Sequence, residues 1–128
     1  MIQPECHIWG KDFHPSCLGT INNIQMHLVN EPGEIGSLGK YKDKPLPYGA
    51  CCVCTPDSIP IPRRITWMAD FIKANKKKFM DAGATDITFW IYWYGTQSNM
   101  EFTPTELSKI AELNIPLCID YIQKNEGD

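Results

Sequence analysis

The chain has 128 residues, 43% of them hydrophobic and 21% charged, with a net charge of -3 and a pI near 5.6. That length holds one ordinary core rather than two, and the composition excludes a disordered chain. The mild acidity excludes the clustered-cation footprint that duplex DNA or an anionic membrane needs, and it suits a basic partner.

Residues 1–9 include Glu5 and His7, with no basic start and no long apolar run, so no secretion signal is read there. The longest apolar stretch, Ile87 to Tyr94, is interrupted by Thr88 and is too short to span a bilayer. A cytoplasmic location is the expectation.

In chain order, Glu5 to Gly10 reads as a first strand, with Cys6 and Ile8 on one face and His7 and Trp9 on the other. A turn over residues 10–15 opens a short helix through Leu18. Ile24 to Val29 reads as a second strand, with Ile24, Met26 and Leu28 facing one way and Gln25, His27 and Val29 the other. Residues 30–48, rich in Pro, Gly and Lys, read as a long exposed loop or loose hairpin, the most mobile part of the chain. Gly49 to Thr55 returns as a strand.

The main helix is expected from about Arg63 to Ala82. Ile65, Met68, Ile72 and Phe79 fall at helical spacing, Ala69 and Phe71 widen the stripe, and Gly83 is the left-handed cap. Lys76, Lys77 and Lys78 could be a phosphate site, but a solvated helix end explains them better. Asp86 to Tyr94 is a strand of strong β formers. Ile87, Phe89, Ile91 and Trp93 make one face, and Thr88, Trp90, Tyr92 and Tyr94 the other. After a turn over 95–99, Thr103-Pro104-Thr105-Glu106 forms a capping box with proline at the first helical position. Leu107, Ile110, Ala111 and Leu113 supply that helix's buried stripe, Asn114 ends it, and Leu117, Ile119 and Tyr121 form a last strand. Residues 123–128 read as a frayed tail.

This order predicts a single α+β domain over 1–128. Its mostly antiparallel sheet of about five strands packs against one long and two short helices, as a ferredoxin-like core with an extra helix and strand.

The six cysteines carry no export signal, and no second ligand pair follows the 51–54 cluster at metal-site spacing, so reduced packing groups are preferred over disulfides, and no metal is expected. If residues 51–54 are a strand, Cys52 and Cys54 share one face and Cys51 takes the other. Catalytic and cofactor motifs are absent: no nucleophile elbow, phosphate loop, dinucleotide fingerprint or zinc helix occurs. Asp12 near His14 could form a general-base pair, although an Asp after a glycine turn more often serves the backbone. The chain is therefore read as a non-enzyme without cofactor.

The unusual feature is aromatic. Trp90, Tyr92 and Tyr94 share a strand face opposite one that already fills the core. Such a row needs cover from the 30–48 loop, a second copy or another protein, and Trp and Tyr are favoured binding anchors. Single-stranded nucleic acid is disfavoured, because Asp86, Asn99 and Glu101 flank the row in place of Lys or Arg.

With these segments in place, the chain resembles a family of uncharacterised small bacterial proteins, the domain of unknown function 4279 family. The likeness starts with Ile8-Trp9-Gly10-Lys11-Asp12-Phe13-His14-Pro15, similar to that family's strand followed by Gly-x-Asp-x-x-Pro. It resumes at Gly39-Lys40 and the long helix, and is firmest from Ala84 to Tyr121, through Phe102-Thr103-Pro104-Thr105-Glu106-Leu107 and Ile119-Asp120-Tyr121. A tryptophan associated with the family's third strand has no counterpart here, where Tyr48 and Cys51 stand. The resemblance brings no catalytic residues. It implies an immunity protein that binds and neutralises a cognate toxin.

The partner surface expected is Trp90, Tyr92, Tyr94 and Glu101, with the 30–48 loop as a second candidate; a basic nuclease-type toxin fits the charge. The alternatives are a homo-oligomeric module, such as a homodimer burying the aromatic row, and a small metal-binding protein using Asp12, His14 and the cysteine cluster.

Overall fold

Period-two alternation and one strong helical stripe build the expected α+β domain. The computed structural model describes residues 1–19, 21, 24, 26–95 and 100–123. Its strands are β1 (Ile2–Gly10), β2 (Met26–Asn30), β3 (Gly49–Cys54), β4 (Asp86–Gly95) and β5 (Leu117–Gln123), and its helices are α1 (Arg64–Asp81) and α2 (Pro104–Glu112). A short 3₁₀ turn at Pro15–Leu18 stands where the first short helix was expected.

The sheet runs β2-β3-β1-β4-β5. Three pairings are antiparallel and β4–β5 is parallel. Since β3 and β4 both run against β1, they are parallel to each other with β1 inserted between them. The unit β3-α1-β4 is thus a split crossover, the element from which ferredoxin-like cores are made. Helix α2 and β5 add to it as an adjacent parallel crossover.

The helices cover one face of the sheet. Cys6 and Ile8 of β1, Cys51 and Val53 of β3, and Ile87, Phe89 and Ile91 of β4 meet Ile65, Met68, Ala69, Ile72 and Phe79 of α1 in one cluster. Phe13 and Leu18 join it, as do Ile110 of α2 and Leu113 at that helix's C-cap. Gly83 has φ +103 and Asn114 φ +52, so both helices end in the left-handed region as expected.

Three local expectations change. Strand β1 begins three residues before Glu5 despite Pro4. β1 pairs with β3 only from Glu5 onward, so Pro4 sits where that side of the strand has no ladder and its missing N–H costs nothing. In β2 the alternation fails after His27: the register shifts between His27 and Asn30, and Leu28 takes φ +51 and points outward. The stripe of α2 is narrower than expected, with Ile110 and Leu113 buried but Leu107 51% exposed. Residues 30–48 form the hairpin alternative, with Gly33 N–H donating to Leu46 O (2.7 Å) and Leu46 N–H to Glu34 O (2.7 Å). The turn at 96–99 and the tail beyond Gln123 lie outside the described residues.

The capping box forms as read. Glu106 N–H donates to Thr103 Oγ1 (3.2 Å) and Thr103 N–H donates to Glu106 Oε1 (2.8 Å). Thr103→Ala removes one of these acceptors and is expected to cost about 1 kcal/mol. Urea denaturation should show a lower midpoint with an unchanged slope; an unchanged midpoint would mean that the cap contributes nothing to α2.

Candidate functional site

The face of the sheet opposite the helices carries the chemistry. β4 directs Ile87, Phe89 and Ile91 into the core and Trp90, Tyr92 and Tyr94 away from it. The three rings form a continuous row, with centroids 6.1 Å apart from Trp90 to Tyr92 and 6.3 Å from Tyr92 to Tyr94. All three are half-buried. Trp90 also stacks on the His7 imidazole at 4.5 Å with the planes nearly parallel.

The 30–48 hairpin packs elsewhere. Its Tyr48 lies against Trp9, 5.6 Å between centroids, and Tyr41 against Tyr48. Trp9 pairs with Asp86 at one end of β4, whereas Tyr92 pairs with Gln3 towards the other. At about 3.3 Å per residue this separates the hairpin's rings from Tyr92 by about 20 Å along the strand.

Glu101 does not join the row. It is exposed between Met100 and Phe102, which pack against the core on the helix side. The acids beside the row are Glu5 of β1, paired with Trp90, and Asp120 of β5, paired with Tyr92. Burial, and then the charge of Glu5, raise the Tyr92 phenol above its ordinary range.

Next to Trp90 the same face holds Glu5, His7, His27, Cys52 and Cys54. The pairing brings them together: His7 opposes Cys52, Glu5 opposes Cys54, and His27 opposes Cys52 from the far side. Glu5 Oε1 lies 3.1 Å from His7 Nε2 and 3.6 Å from His27 Nε2. Cys54 Sγ lies 2.9 Å from His27 Nδ1 and 3.9 Å from Glu5 Oε2. Burial opposes charge on His7, but hydrogen bonds to Cys52 and Glu5 outweigh it and hold the imidazole's pKa above its usual range. Burial lifts the Cys54 thiol to about 11, helped by the Glu5 charge.

The packing reading of the cysteines holds for Cys6 and Cys51, which are core residues; burial lifts the Cys51 thiol to about 12 and that of Cys6 further. It does not describe Cys52 and Cys54, which share the opposite face as strand geometry requires. The readable signal was two period-two pairs, Glu5-x-His7 and Cys52-x-Cys54. Nothing in the sequence says that these pairs lie side by side.

Asp12 and His14 do not form a catalytic pair. The carboxylate beside His14 is Glu31, at 3.1 Å from Nδ1, and Glu31 also accepts from Ser16 N–H at 2.6 Å. Two lysines of the run have partners in the fold: Lys76 Nζ donates to Leu113 O at 2.9 Å and the exposed Lys77 pairs with Asp81.

A second apolar surface lies on the helix side of β5. Trp93 meets Tyr121 edge-on at 5.4 Å, and Ile119 and Tyr121 are 46% and 44% exposed. Among the described residues no helix is long and apolar enough to cross a membrane.

Comparison with models of known protein families, with curated proteins and with solved structures finds no match.

Proposed function

We propose that this chain is a binding protein that neutralises a cognate toxin by protein–protein contact at the helix-free face of its sheet. The observation that carries the reading is the row Trp90, Tyr92 and Tyr94, flanked by Glu5 and Asp120, on a face that the helices leave uncovered. Large rings with polar tips supply contact area at low entropic cost, and the neighbouring acids favour a basic partner. The toxin as partner rests on the family resemblance. Glu101, set apart from the row, is not included in the surface.

The test is recovery of partners from the native cell with tagged protein. Wild type is expected to retain one stoichiometric protein. Tyr92→Ala/Tyr94→Ala, checked for folding by circular dichroism, should retain it at least about tenfold less well. Co-expression of wild type, and not of the variant, should restore growth to cells making that partner. Equal retention by the variant would remove the row from the interface.

The exposed apolar side of β5 favours a second reading, in which a further copy of the chain covers this edge strand. A dimer by light scattering, with no other protein recovered, is the outcome that selects it.

A further inference from the structure

The cluster next to the aromatic row has the composition and spacing of a metal centre. We infer that Glu5, His27 and Cys54 form a three-ligand site for one zinc-class divalent ion, with His7 and Cys52 packed beside it. This goes beyond the toxin-binding reading and does not depend on it.

Geometry supplies the first argument. Glu5, His7 and Cys52 offer donor atoms that all lie within 4.8 Å of one another, and so do Glu5, His27 and Cys54. Zinc bonds of about 2.0–2.3 Å in a tetrahedral arrangement place donor atoms roughly 3.3–3.8 Å apart. In the second set, with His27 Nε2 as the imidazole donor, the spacings are 3.6 Å to Glu5 Oε1, 3.8 Å to Cys54 Sγ and 3.9 Å from Cys54 Sγ to Glu5 Oε2, close to that range, and the fourth position is left to water.

Donor chemistry supplies the second. Thiol and imidazole are soft and borderline donors that select zinc, or a metal like it, over magnesium or calcium. On binding, Cys54 loses its thiol proton to solvent and the His27 imidazole coordinates in its neutral form, so the ion's charge is met by one thiolate and the Glu5 carboxylate.

Rigidity and charge supply the third. The donors sit on three adjacent, hydrogen-bonded strands, and His7, its ring stacked on Trp90, holds the Glu5 carboxylate at 3.1 Å. Glu5 is only 8% exposed, and among the described residues its ion-pair partners are the two histidines alone. A divalent ion adds charge compensation for this buried carboxylate beyond what the imidazoles give.

The test uses the full chain with Zn2+ and Co2+ alone as probes. Chelator-stripped protein is expected to take up one Zn2+ per chain by titration calorimetry. Co2+ should give the thiolate charge-transfer absorption and strong visible bands of a four-coordinate complex. Cys54→Ser should bind Zn2+ on the order of 100-fold more weakly or worse and lose the charge-transfer band. Cys17→Ser, altering an exposed thiol outside the cluster, should behave as wild type. If the cysteine variant fails to fold, His27→Gln serves in its place with the same expected loss of affinity. Absence of stoichiometric Zn2+ uptake by wild type, or uptake undiminished in a folded variant, overturns the assignment and leaves a metal-free hydrogen-bonded cluster.

Discussion

Gly49→Ala is expected to remove about 3 kcal/mol or more of stability, a loss out of proportion to one methyl group. Gly49 opens β3, and its Cα faces the carbonyl of Phe13. A Cβ there would collide with Phe13 O, approach Phe13 C to 2.8 Å and Pro32 Cδ to 3.1 Å. The obstacle is mainly backbone, so no rotamer change relieves it. Phe13 cannot retreat easily, because its ring is fully buried in the core. The cost falls on a domain whose total stability is of the order of 5–15 kcal/mol. Thermal unfolding should show a midpoint lowered by about 10 °C or more. A midpoint within about 2 °C of wild type would show that β3 and the 10–15 turn are not packed this tightly.

Phe89→Ala is the second large effect, expected at about 3–5 kcal/mol. Phe89 lies inside the sheet on β4, opposite Cys6 of β1 on one side and Leu117 of β5 on the other, and is fully buried. Truncation removes a large apolar side chain and leaves a cavity that neighbours held by two ladders cannot close. Leu107→Ala is the matched control. That leucine is half exposed on α2, and alanine is the better helix former, so its effect should stay within about 0.5 kcal/mol. Equilibrium denaturation of the two variants side by side measures the contrast; similar losses would refute the assignment of Phe89 to the core.

What the sequence revealed and what it hid divides along the range of the interactions. The stripe of α1, its Gly83 cap and the Thr103–Glu106 box were legible because each is settled within a few residues. The two faces of β4 were legible because strand alternation is equally local. Pro4 disguised the start of β1, since a proline reads as a break unless one knows that the strand has no partner on that side there. The bulge at Leu28 was hidden because leucine gives no hint of a positive φ. The exposure of Ile119 and Tyr121 follows from β5 being an edge strand, which strand order alone decides. The candidate site divides in the same way. Its aromatic half lies on one strand and could be read. Its Glu–His–Cys half is assembled from β1, β2 and β3, and comes together only when registers separated by up to 49 positions align Glu5 with Cys54. Glu101 failed for the converse reason: closeness in sequence to Tyr94 did not put it on the same face.

The placement of β1 also sets when the sheet can form during synthesis. The central strand β1 precedes both of its neighbours, and β3 and β4 are completed only at Cys54 and Gly95. Until Gly95 has left the ribosome, β1 can hold at most one of its two ladders, and the buried side of Cys6 and Ile8 lacks β4. Until that point the nascent chain therefore presents apolar strand to its surroundings, the condition in which chaperone capture and misassembly compete with folding. Helix α2 and β5 then join as a local unit onto a sheet already built, so completion of the fold is quick once its centre has closed.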